Sequence, residues 1–136
     1  MNARDIMRPD PAVLTQDEPV SRAAQIMRDL GVSLVPVVDD PSSMCLIGVI
    51  TDHDITVRCV ASDHGDSCTV AEHMTADHLR TVRTGADIGD VIALMERHQI
   101  RCVPVISDDN RLAGTITRAD LPAGFTAVAP SSNRQP

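Results

Sequence analysis

The residues best suited to chemistry in this chain occur twice. Residues 48–54 read GVITDHD, and residues 114–120 read GTITRAD, 66 positions later. Each copy places a glycine inside an apolar strand pattern, a threonine where the strand ends and an aspartate in the first turn of a following helix. The hydroxyl and the helix-start N–H groups suit a phosphate, whereas the carboxylate suits the diol of a ribose. The doubled pattern therefore predicts two equivalent ligand-binding clefts.

A purely structural interpretation stays open beside this one. Thr51 and Thr117 could serve only as helix N-caps, while Asp54 and Asp120 favour the N-terminal helix dipole. For one copy this reading is the better of the two. Two copies in the same sequence context favour a ligand-binding framework.

The elements that must position these residues are also repeated. Residues 34–38 and 102–106 read LVPVV and CVPVI, and each leads through a polar turn into the strand of a signature, at 45–51 and 112–117. Proline within a strand predicts an edge position in the sheet. Each copy thus predicts a hairpin that ends in the glycine, threonine and aspartate.

Helices are predicted before each hairpin and after each signature. The first begins at an N-cap Asp17 and stops at Gly31, and its counterpart begins near Ala86. A helix beginning near Asp52 carries three apolar residues, while its counterpart after Arg118 is shortened by two helix-breaking residues. The apolar residues of the Asp52 helix are Ile55, Val57 and Val60, and the breakers are Pro122 and Gly124.

Short lead-in helices precede both halves, at residues 2–7 and 69–74, and both end in methionine. Short strands follow at about 12–15 and 79–82. The predicted fold class is α+β, with two strand-helix-strand-strand-helix repeats packed sheet to sheet about a pseudo-two-fold axis. The expected divisions are residues 1–66 for the first repeat with its lead-in, 67–124 for the second repeat, and 125–136 for a disordered tail.

Composition excludes several classes of partner. The net charge is −7, all twelve cations are scattered arginines, and aromatic residues make up only 1%, so the sequence lacks the cationic patches and stacking rings that bind nucleic acid. No apolar run approaches the ~20 residues that span a bilayer, and the N-terminus lacks the pattern of a signal peptide. We therefore expect a cytoplasmic protein that binds neither nucleic acid nor membrane.

Cysteine and histidine spacing gives no strong metal signal. The segment between the repeats follows the pattern C-x4-H-x3-C-x4-H, without the C-x2-C spacing that structural zinc sites favour. Its donors are Cys59, His64, Cys68 and His73, whereas Cys45 and Cys102 fit small core residues. The prediction is reduced thiols and no metal ligands, although metal binding by this segment stays open. No catalytic motif is present, so we predict no catalytic residues and no enzyme activity.

The proline strands and the signature Gly-h-x-Thr-x-x-Asp, in which h is hydrophobic, resemble the CBS domain, and the tandem pair resembles a Bateman module. The resemblance covers residues 4 to about 124. It implies an adenosine-containing regulatory ligand such as AMP, ADP, ATP, NAD or S-adenosylmethionine. It assigns ribose to Asp54 and Asp120 and the sugar-phosphate to Thr51 and Thr117. For the base, the resemblance implies Ala12, Val35, Leu79 and Val103. The glycines Gly48 and Gly114 are candidate contacts for a different reason, because a missing side chain lets another group approach the backbone closely.

The two halves differ where the family often carries a basic residue facing the phosphates. The first half has Ser33 before its proline strand, and the second has Arg101. Arg118 could add a bidentate phosphate contact, at a place where the first half offers His53 nearby. The predicted clefts are therefore unequal.

The function implied is that of a stand-alone regulatory and signalling protein that senses energy state or a metabolite. We expect a homodimer, an unidentified downstream protein and no required cofactor. The alternative is a ligand-free dimerisation or protein-interaction module that keeps the fold only as a scaffold.

Overall fold

The computed structural model describes residues 1–62 and 68–122. The helices follow in the order α1 (Ala3–Ile6), α2 (Val20–Leu30), α3 (Asp52–Asp54), a π-helix (Ile55–Val60), α4 (Val70–His73), α5 (Ile88–His98) and a 3-10 helix (Arg118–Asp120). The strands are β1 (Arg8–Pro9), β2 (Leu34–Val38), β3 (Leu46–Thr51), β4 (Val82–Arg83), β5 (Cys102–Ile106) and β6 (Leu112–Thr117). The predicted tail at 125–136 lies outside the described residues, as do the expected boundaries at 66/67 and 124/125.

These residues form two compact units, and we name each by the signature that it holds. The first-signature unit consists of Pro11–Leu79 and Asn110–Leu112. The second-signature unit consists of Met1–Asp10, Arg80–Asp109 and the described residues from Ala113 onward. The lead-in helix α1, which precedes the first repeat, therefore lies in the second-signature unit. The lead-in helix α4, which precedes the second repeat, lies in the first-signature unit.

Backbone hydrogen bonds hold the first lead-in in the second-signature unit. The N–H of Ala3 donates to the carbonyl of Ala86 at 2.9 Å, and that of Arg4 donates to Thr84 at 3.0 Å. Strand β1 then pairs antiparallel with β6. The sheet order is β1-β6-β5-β4, and β4 runs parallel to β5. Buried side chains beneath this sheet include Val91, Met95, Val103, Val105 and Ile116.

The first-signature unit repeats this order with two of its strands reduced to single bridges. Strands β2 and β3 form an antiparallel hairpin. Val49 of β3 bridges Thr75, and Val37 of β2 bridges Leu14, at the positions that correspond to β1 and β4. Its buried side chains include Leu14, Val20, Ile26, Val35, Ile50 and Val70. The predicted strands at 12–15 and 79–82 are thus shorter than expected, because pairing is confined to Leu14 in one and begins at Val82 in the other.

The proline strands do not lie at sheet edges as predicted. Strand β5 has neighbours on both sides, and β2 has β3 on one side and Leu14 on the other. The Leu14 bridge uses the carbonyl of Pro36 and the N–H of Val38, so it requires no donor from the proline. Proline is tolerated there because the adjoining ladder is only one bridge long.

Helix ends account for two further differences. The N-cap of α2 is Pro19 and not Asp17, whose carboxylate accepts a hydrogen bond from the Thr15 hydroxyl at 2.6 Å. Helix α5 begins at Ile88 behind the N-cap Asp87. The predicted stop at Gly31 is confirmed, since Gly31 adopts the left-handed conformation with φ of 68°.

After the first signature, the chain forms one α-turn and then a π-helix instead of one regular helix. The wider turn closes with the N–H of Ala61 donating to the carbonyl of Thr56 at 2.9 Å. Val57 and Val60 are 48% and 66% exposed, while Cys59 faces the core. The predicted helix start near Asp52 is confirmed, but two of the three apolar residues in this segment, Val57 and Val60, face solvent.

We expect Gly31→Ala to lower the free energy of unfolding by about 1 kcal/mol, because a β-carbon is disfavoured in the left-handed conformation. Gly31→Asn should lose less, since asparagine tolerates this conformation. Urea unfolding of the three proteins checks the order. The added β-carbon of alanine has no neighbour within 4 Å, so no new contact offsets the backbone strain. Equal stability of the alanine variant and the parent would therefore contradict the prediction.

Candidate functional site

The first signature closes a reciprocal pair of hydrogen bonds at the end of β3. The Thr51 hydroxyl oxygen accepts from the N–H of Asp54 at 3.1 Å, and the Asp54 carboxylate accepts from the N–H of Thr51 at 3.0 Å. This arrangement is a capping box, which satisfies two backbone donors that a helix start leaves open. The structural role considered for Thr51 and Asp54 is therefore present.

Asp54 has further partners within its own unit. Its side chain is only 6% exposed. The Thr75 hydroxyl lies 3.3 Å from both carboxylate oxygens, and Arg58 Nε lies 3.8 Å from Oδ1, one helical turn away. A buried carboxylate needs such partners, because leaving it unpaired costs several kcal/mol. Asp54 is thus satisfied before any ligand binds.

The first-turn N–H groups of this signature are also engaged. The N–H of Asp52 donates to the carbonyl of Ser33 at 3.0 Å, and that of His53 donates to the Asp52 carboxylate at 2.8 Å. The N–H of Asp54 is bonded to Thr51. These N–H groups thus have partners within the chain, and a role for them in holding a phosphate stays a prediction.

The second signature forms the same capping box with a different outer partner. The N–H and hydroxyl of Thr117 lie 2.9 and 3.0 Å from Asp120 Oδ2. The other oxygen, Oδ1, accepts from Arg8 Nε at 2.8 Å. Arg8 follows Met7 at the end of the first lead-in, as Thr75 follows Met74 at the end of the second. Each lead-in thus supplies one side chain to one signature aspartate, a cation in one unit and a neutral hydroxyl in the other.

Asp120 is held in its ionised form. Partial burial opposes ionisation, but hydrogen bonds from Thr117 and from Arg8 outweigh it, so the pKa of Asp120 lies below its ordinary value. A lowered folded-state pKa means that the stabilisation is complete above the unfolded pKa of about 3.9 and is lost as the pH falls through the folded value. The carboxylate is therefore an acceptor throughout the physiological range.

The signature glycines make room for the lead-ins. A β-carbon on Gly114 would lie 2.5 Å from the carbonyl oxygen of Arg8 and 2.9 Å from the sulfur of Met7. On Gly48 it would lie 3.0 Å from the carbonyl oxygen of Thr75 and 3.1 Å from the sulfur of Met74. The close approach inferred from these glycines is thus made by the protein's own chain.

Charge distinguishes the surroundings of the two signatures. The N–H of Arg118 donates to the carbonyl of Arg101 at 3.0 Å, in the same way that Asp52 donates to Ser33. An arginine therefore stands on each side of this backbone hydrogen bond, where the first signature carries a serine and an aspartate. Arg101 is exposed and Arg118 is half-buried.

The base-contact candidates fall into two groups. Val35 and Val103 lie in the hydrophobic cores, at 1% and 0% exposed. Ala12 and Leu79 are half-buried, and Ala12 packs against the core of the first-signature unit. A role for any of the four in holding a base stays a prediction.

Sequence reasoning missed the three residues that contact the signature aspartates from outside the motif, namely Arg8, Arg58 and Thr75. The paired methionines at the ends of the lead-ins were a usable signal for Arg8 and Thr75, because each immediately precedes one of them. Arg58 was detectable only as an i+4 partner of Asp54.

All four cysteines are free thiols, as the sequence predicted. Burial and the charge of Asp120 raise the pKa of Cys102 to about 11, so this residue is a protonated packing group at neutral pH. Cys59 and Cys68 are buried, with their sulfur atoms 3.4 Å apart.

Comparison with known proteins identifies the fold that these signatures belong to. The model of the CBS domain matches residues 3–60 and 70–121, so this chain belongs to the CBS-domain family as a tandem pair. Hypoxic response protein 1 of Mycobacterium tuberculosis is 34% identical over 119 residues, which cover 88% of this chain and 81% of that protein. Among the described helices, none is both long and apolar enough to cross a bilayer.

Solved structures agree with this assignment. The crystal structure of Hypoxic Response Protein I with two coordinated zinc ions matches with a TM-score of 0.78 and covers 90% of this chain and 100% of that one. The CBS pair of protein MJ0100, in complex with methylthioadenosine and S-adenosyl-L-methionine, matches with a TM-score of 0.75 at 27% identity, over 88% and 91% of the two chains. Inosine-5'-monophosphate dehydrogenase of Streptococcus pyogenes is 33% identical over 82% of this chain but only 22% of that enzyme.

We expect Gly114→Ala to lower the free energy of unfolding by about 1–3 kcal/mol, because its new β-carbon overlaps backbone and not a flexible side-chain end. Gly48→Ala should lose less, since its contacts are longer. Gly85→Ala is the matched control, because nothing lies within 4 Å of its added carbon. Chemical denaturation that ranks Gly114→Ala with Gly85→Ala would refute the assigned contact.

We expect Asp120→Asn to lower the free energy of unfolding at pH 7 by about 1 kcal/mol, the net worth of a typical hydrogen bond. The difference from the parent should shrink as the pH falls below about 3.9, because the wild-type carboxylate then takes up a proton while asparagine does not titrate. Urea unfolding at a series of pH values measures this. A difference that is constant with pH would show that the Asp120 charge contributes nothing.

Proposed function

We propose that this chain is a regulatory CBS pair that binds an adenosine-containing ligand such as AMP, ADP, ATP, NAD or S-adenosylmethionine, with the second signature as its main site. One observation carries the proposal. The second signature combines an ionised, 13% exposed Asp120 with two arginines, Arg118 and Arg101, whose backbones are joined by a hydrogen bond at the helix start. A sugar phosphate needs this pairing of an acceptor for hydroxyls with cationic donors for phosphate oxygens.

The contacts within the second signature support these roles. A carboxylate has about four lone-pair positions, and within the described residues Oδ1 of Asp120 accepts from Arg8 alone, which leaves capacity for a ribose hydroxyl. Arg118 and Arg101 carry planar guanidinium groups, which bind phosphate oxygens in a bidentate manner. The ligand roles of Thr117, Gly114 and Asp120 implied by the family resemblance are thus proposed for this site.

The first signature is proposed to bind more weakly, or to take an adenosine compound with less negative charge. Thr75 and Arg58 already contact the Asp54 carboxylate. Ser33 and Asp52 stand where the second signature has arginines. The crystal structure of the MJ0100 pair contains methylthioadenosine and S-adenosyl-L-methionine. Neither compound carries a phosphate, which supports a ligand of this kind for the first signature. Gly48, Thr51 and Asp54 would make its contacts.

The proposed mechanism is a shift of population and involves no catalytic step. A ribose hydroxyl at Asp120 shares that carboxylate with Arg8, so ligand binding acts directly on the first lead-in. A ligand that favours one position of Arg8 favours the chain conformations that contain it. Output then passes to a downstream protein or through self-association. We propose a homodimer and a cytoplasmic location, as the family resemblance and composition imply.

A second candidate, a ligand-free interaction module, is favoured by one observation. The first-turn N–H groups of the first signature and its aspartate are satisfied by the chain itself. A scaffold that needs no ligand would have this property. It predicts a stable dimer whose unfolding is indifferent to nucleotides.

A thermal-shift panel with AMP, ADP, ATP, NAD and S-adenosylmethionine separates the two candidates. A ligand at ~100 times its dissociation constant should add about 2.7 kcal/mol to the free energy of unfolding. We expect Asp120→Ala and Arg118→Ala to weaken binding of the phosphate-bearing ligands at least ~10-fold, and Asp54→Ala to leave it nearly unchanged.

Affinity in this test is measured by titration calorimetry on variants shown to be folded by circular dichroism, because Asp120 is also a helix cap. Arg28→Ala is the matched charge control, since Arg28 lies exposed on α2, away from both signatures in sequence, and pairs with the adjacent Asp29. Failure of every ligand to shift the unfolding transition would leave the interaction module as the better account.

A further inference from the structure

Three metal-competent side chains meet inside the first-signature unit. Cys59, Cys68 and His73 each offer one ligand atom, and these atoms all lie within 4.8 Å of one another. Cys59 and Cys68 are each 3% exposed, and His73 is 4% exposed. The two sulfur atoms are 3.4 Å apart, close to the roughly 3.8 Å that separates two thiolates on a tetrahedral zinc ion with Zn–S bonds of about 2.3 Å.

Local helix geometry explains how Cys68 and His73 meet. Thr69 is the N-cap of α4 and forms a capping box with Glu72. Cys68 therefore stands one residue before the cap, and His73 is the fourth residue of the helix. These two positions pack against each other at many helix starts and usually carry apolar side chains. The bridge between Pro19 and Thr69 fixes this helix start against the segment before α2.

The other lead-in shows what the fold alone requires at these positions. Helix α1 has the same capping box, formed by Asn2 and Asp5. The residues that correspond to Cys68 and His73 are Met1 and Ile6, and both are apolar. The fold thus accepts simple hydrophobic residues here. A thiol and an imidazole in the buried counterpart require a different explanation.

The third ligand comes from the π-helix that follows the first signature. Cys59 lies in its last turn and faces the core, while Val57 and Val60 point to solvent. π-Helical turns are rare and occur frequently at functional sites. The wide turn directs Cys59 toward Cys68, although eight residues separate them in sequence.

We propose that Cys59, Cys68 and His73 bind one zinc ion. Each thiol releases its proton to solvent as its sulfur bonds to the metal, and the imidazole binds in its neutral form. Two thiolates balance the charge of Zn²⁺, so the complex carries no net charge, which suits a buried position. Three protein ligands leave one tetrahedral position for a solvent molecule.

Zinc at this place would act on the first signature. Cys59 adjoins Arg58, and His73 lies two residues before Thr75, so the metal ties together the segments that carry both outer partners of Asp54. Occupancy of the metal site and the accessibility of Asp54 are then linked within one unit. The zinc site is independent of the ligand proposed for the second signature.

The test uses the full chain, reduced and stripped with a chelator, then loaded separately with Zn²⁺ and Co²⁺. We expect about one metal ion per chain after gel filtration, as elemental analysis would measure it. The cobalt form should show thiolate-to-metal charge-transfer absorption and the intense visible bands of a tetrahedral site. Cys59→Ser and His73→Gln should each weaken zinc binding by at least the roughly 10–100-fold that loss of a supporting group causes.

Cys102→Ser is the matched control, because it removes a thiol from the other unit and should leave stoichiometry and affinity unchanged. The wild-type cobalt spectrum decides the matter even if a ligand variant fails to fold. The proposal is overturned if metal is lost on gel filtration, if the spectrum lacks thiolate charge transfer, or if Cys59→Ser binds zinc as tightly as the parent. A Cys59–Cys68 disulfide in protein kept under reductant would also overturn it.

Discussion

Each lead-in segment packs against a glycine in a signature strand, and most properties of the two signatures depend on this contact. The sulfur of Met7 and the backbone of Arg8 lie against Gly114, while Met74 and Thr75 lie against Gly48. Because the backbone can approach so closely, the residue after the methionine reaches the signature aspartate. A larger residue than glycine would displace the lead-in and leave a half-buried or buried carboxylate without its outer partner.

The duplication has kept this contact while changing its charge. In one unit an arginine contacts Asp120, and two more arginines are joined by a backbone hydrogen bond at the helix start. In the other unit a threonine hydroxyl contacts Asp54, and an aspartate and a serine form the corresponding backbone hydrogen bond. The common backbone is preserved in detail, since the left-handed residues Gly31 and Gln99 end equivalent helices. Duplication thus supplies two sites of one geometry, and a few side chains make them electrostatically different.

The two lead-in helices also share a backbone arrangement but differ in side chains. The positions before and four residues after the helix cap are methionine and isoleucine in α1 but cysteine and histidine in α4. The two pairs hold the same positions relative to the cap, but Met1 is 68% exposed whereas Cys68 and His73 are buried. The change becomes chemically meaningful only because the π-helix brings a second thiol to the same place.

Pattern in the sequence was sufficient for the regular elements. The hairpin strands, the stop at Gly31 and the reduced thiols follow from short apolar runs joined by polar turns, glycine at a helix end and irregular cysteine spacing, and the structure confirms them. The prediction of Asp17 as the N-cap was wrong, because its carboxylate accepts a hydrogen bond from the Thr15 hydroxyl instead. A helix from Asp52 was predicted but its π-helical turn was not, because the spacing of apolar residues carries no signal for a wider turn.

The sequence by itself determined that this is a tandem CBS pair with two Gly-Thr-Asp signatures, because both depend on local spacing that survives in each repeat. Only the tertiary structure decided which lead-in meets which signature, since that exchange joins residues more than a hundred positions apart in the case of Arg8 and Asp120. It also decided that Asp54 is enclosed and that Cys59, Cys68 and His73 converge. Hydrogen bonds and packing between distant segments leave no periodic trace in the chain that a reading of spacing could detect.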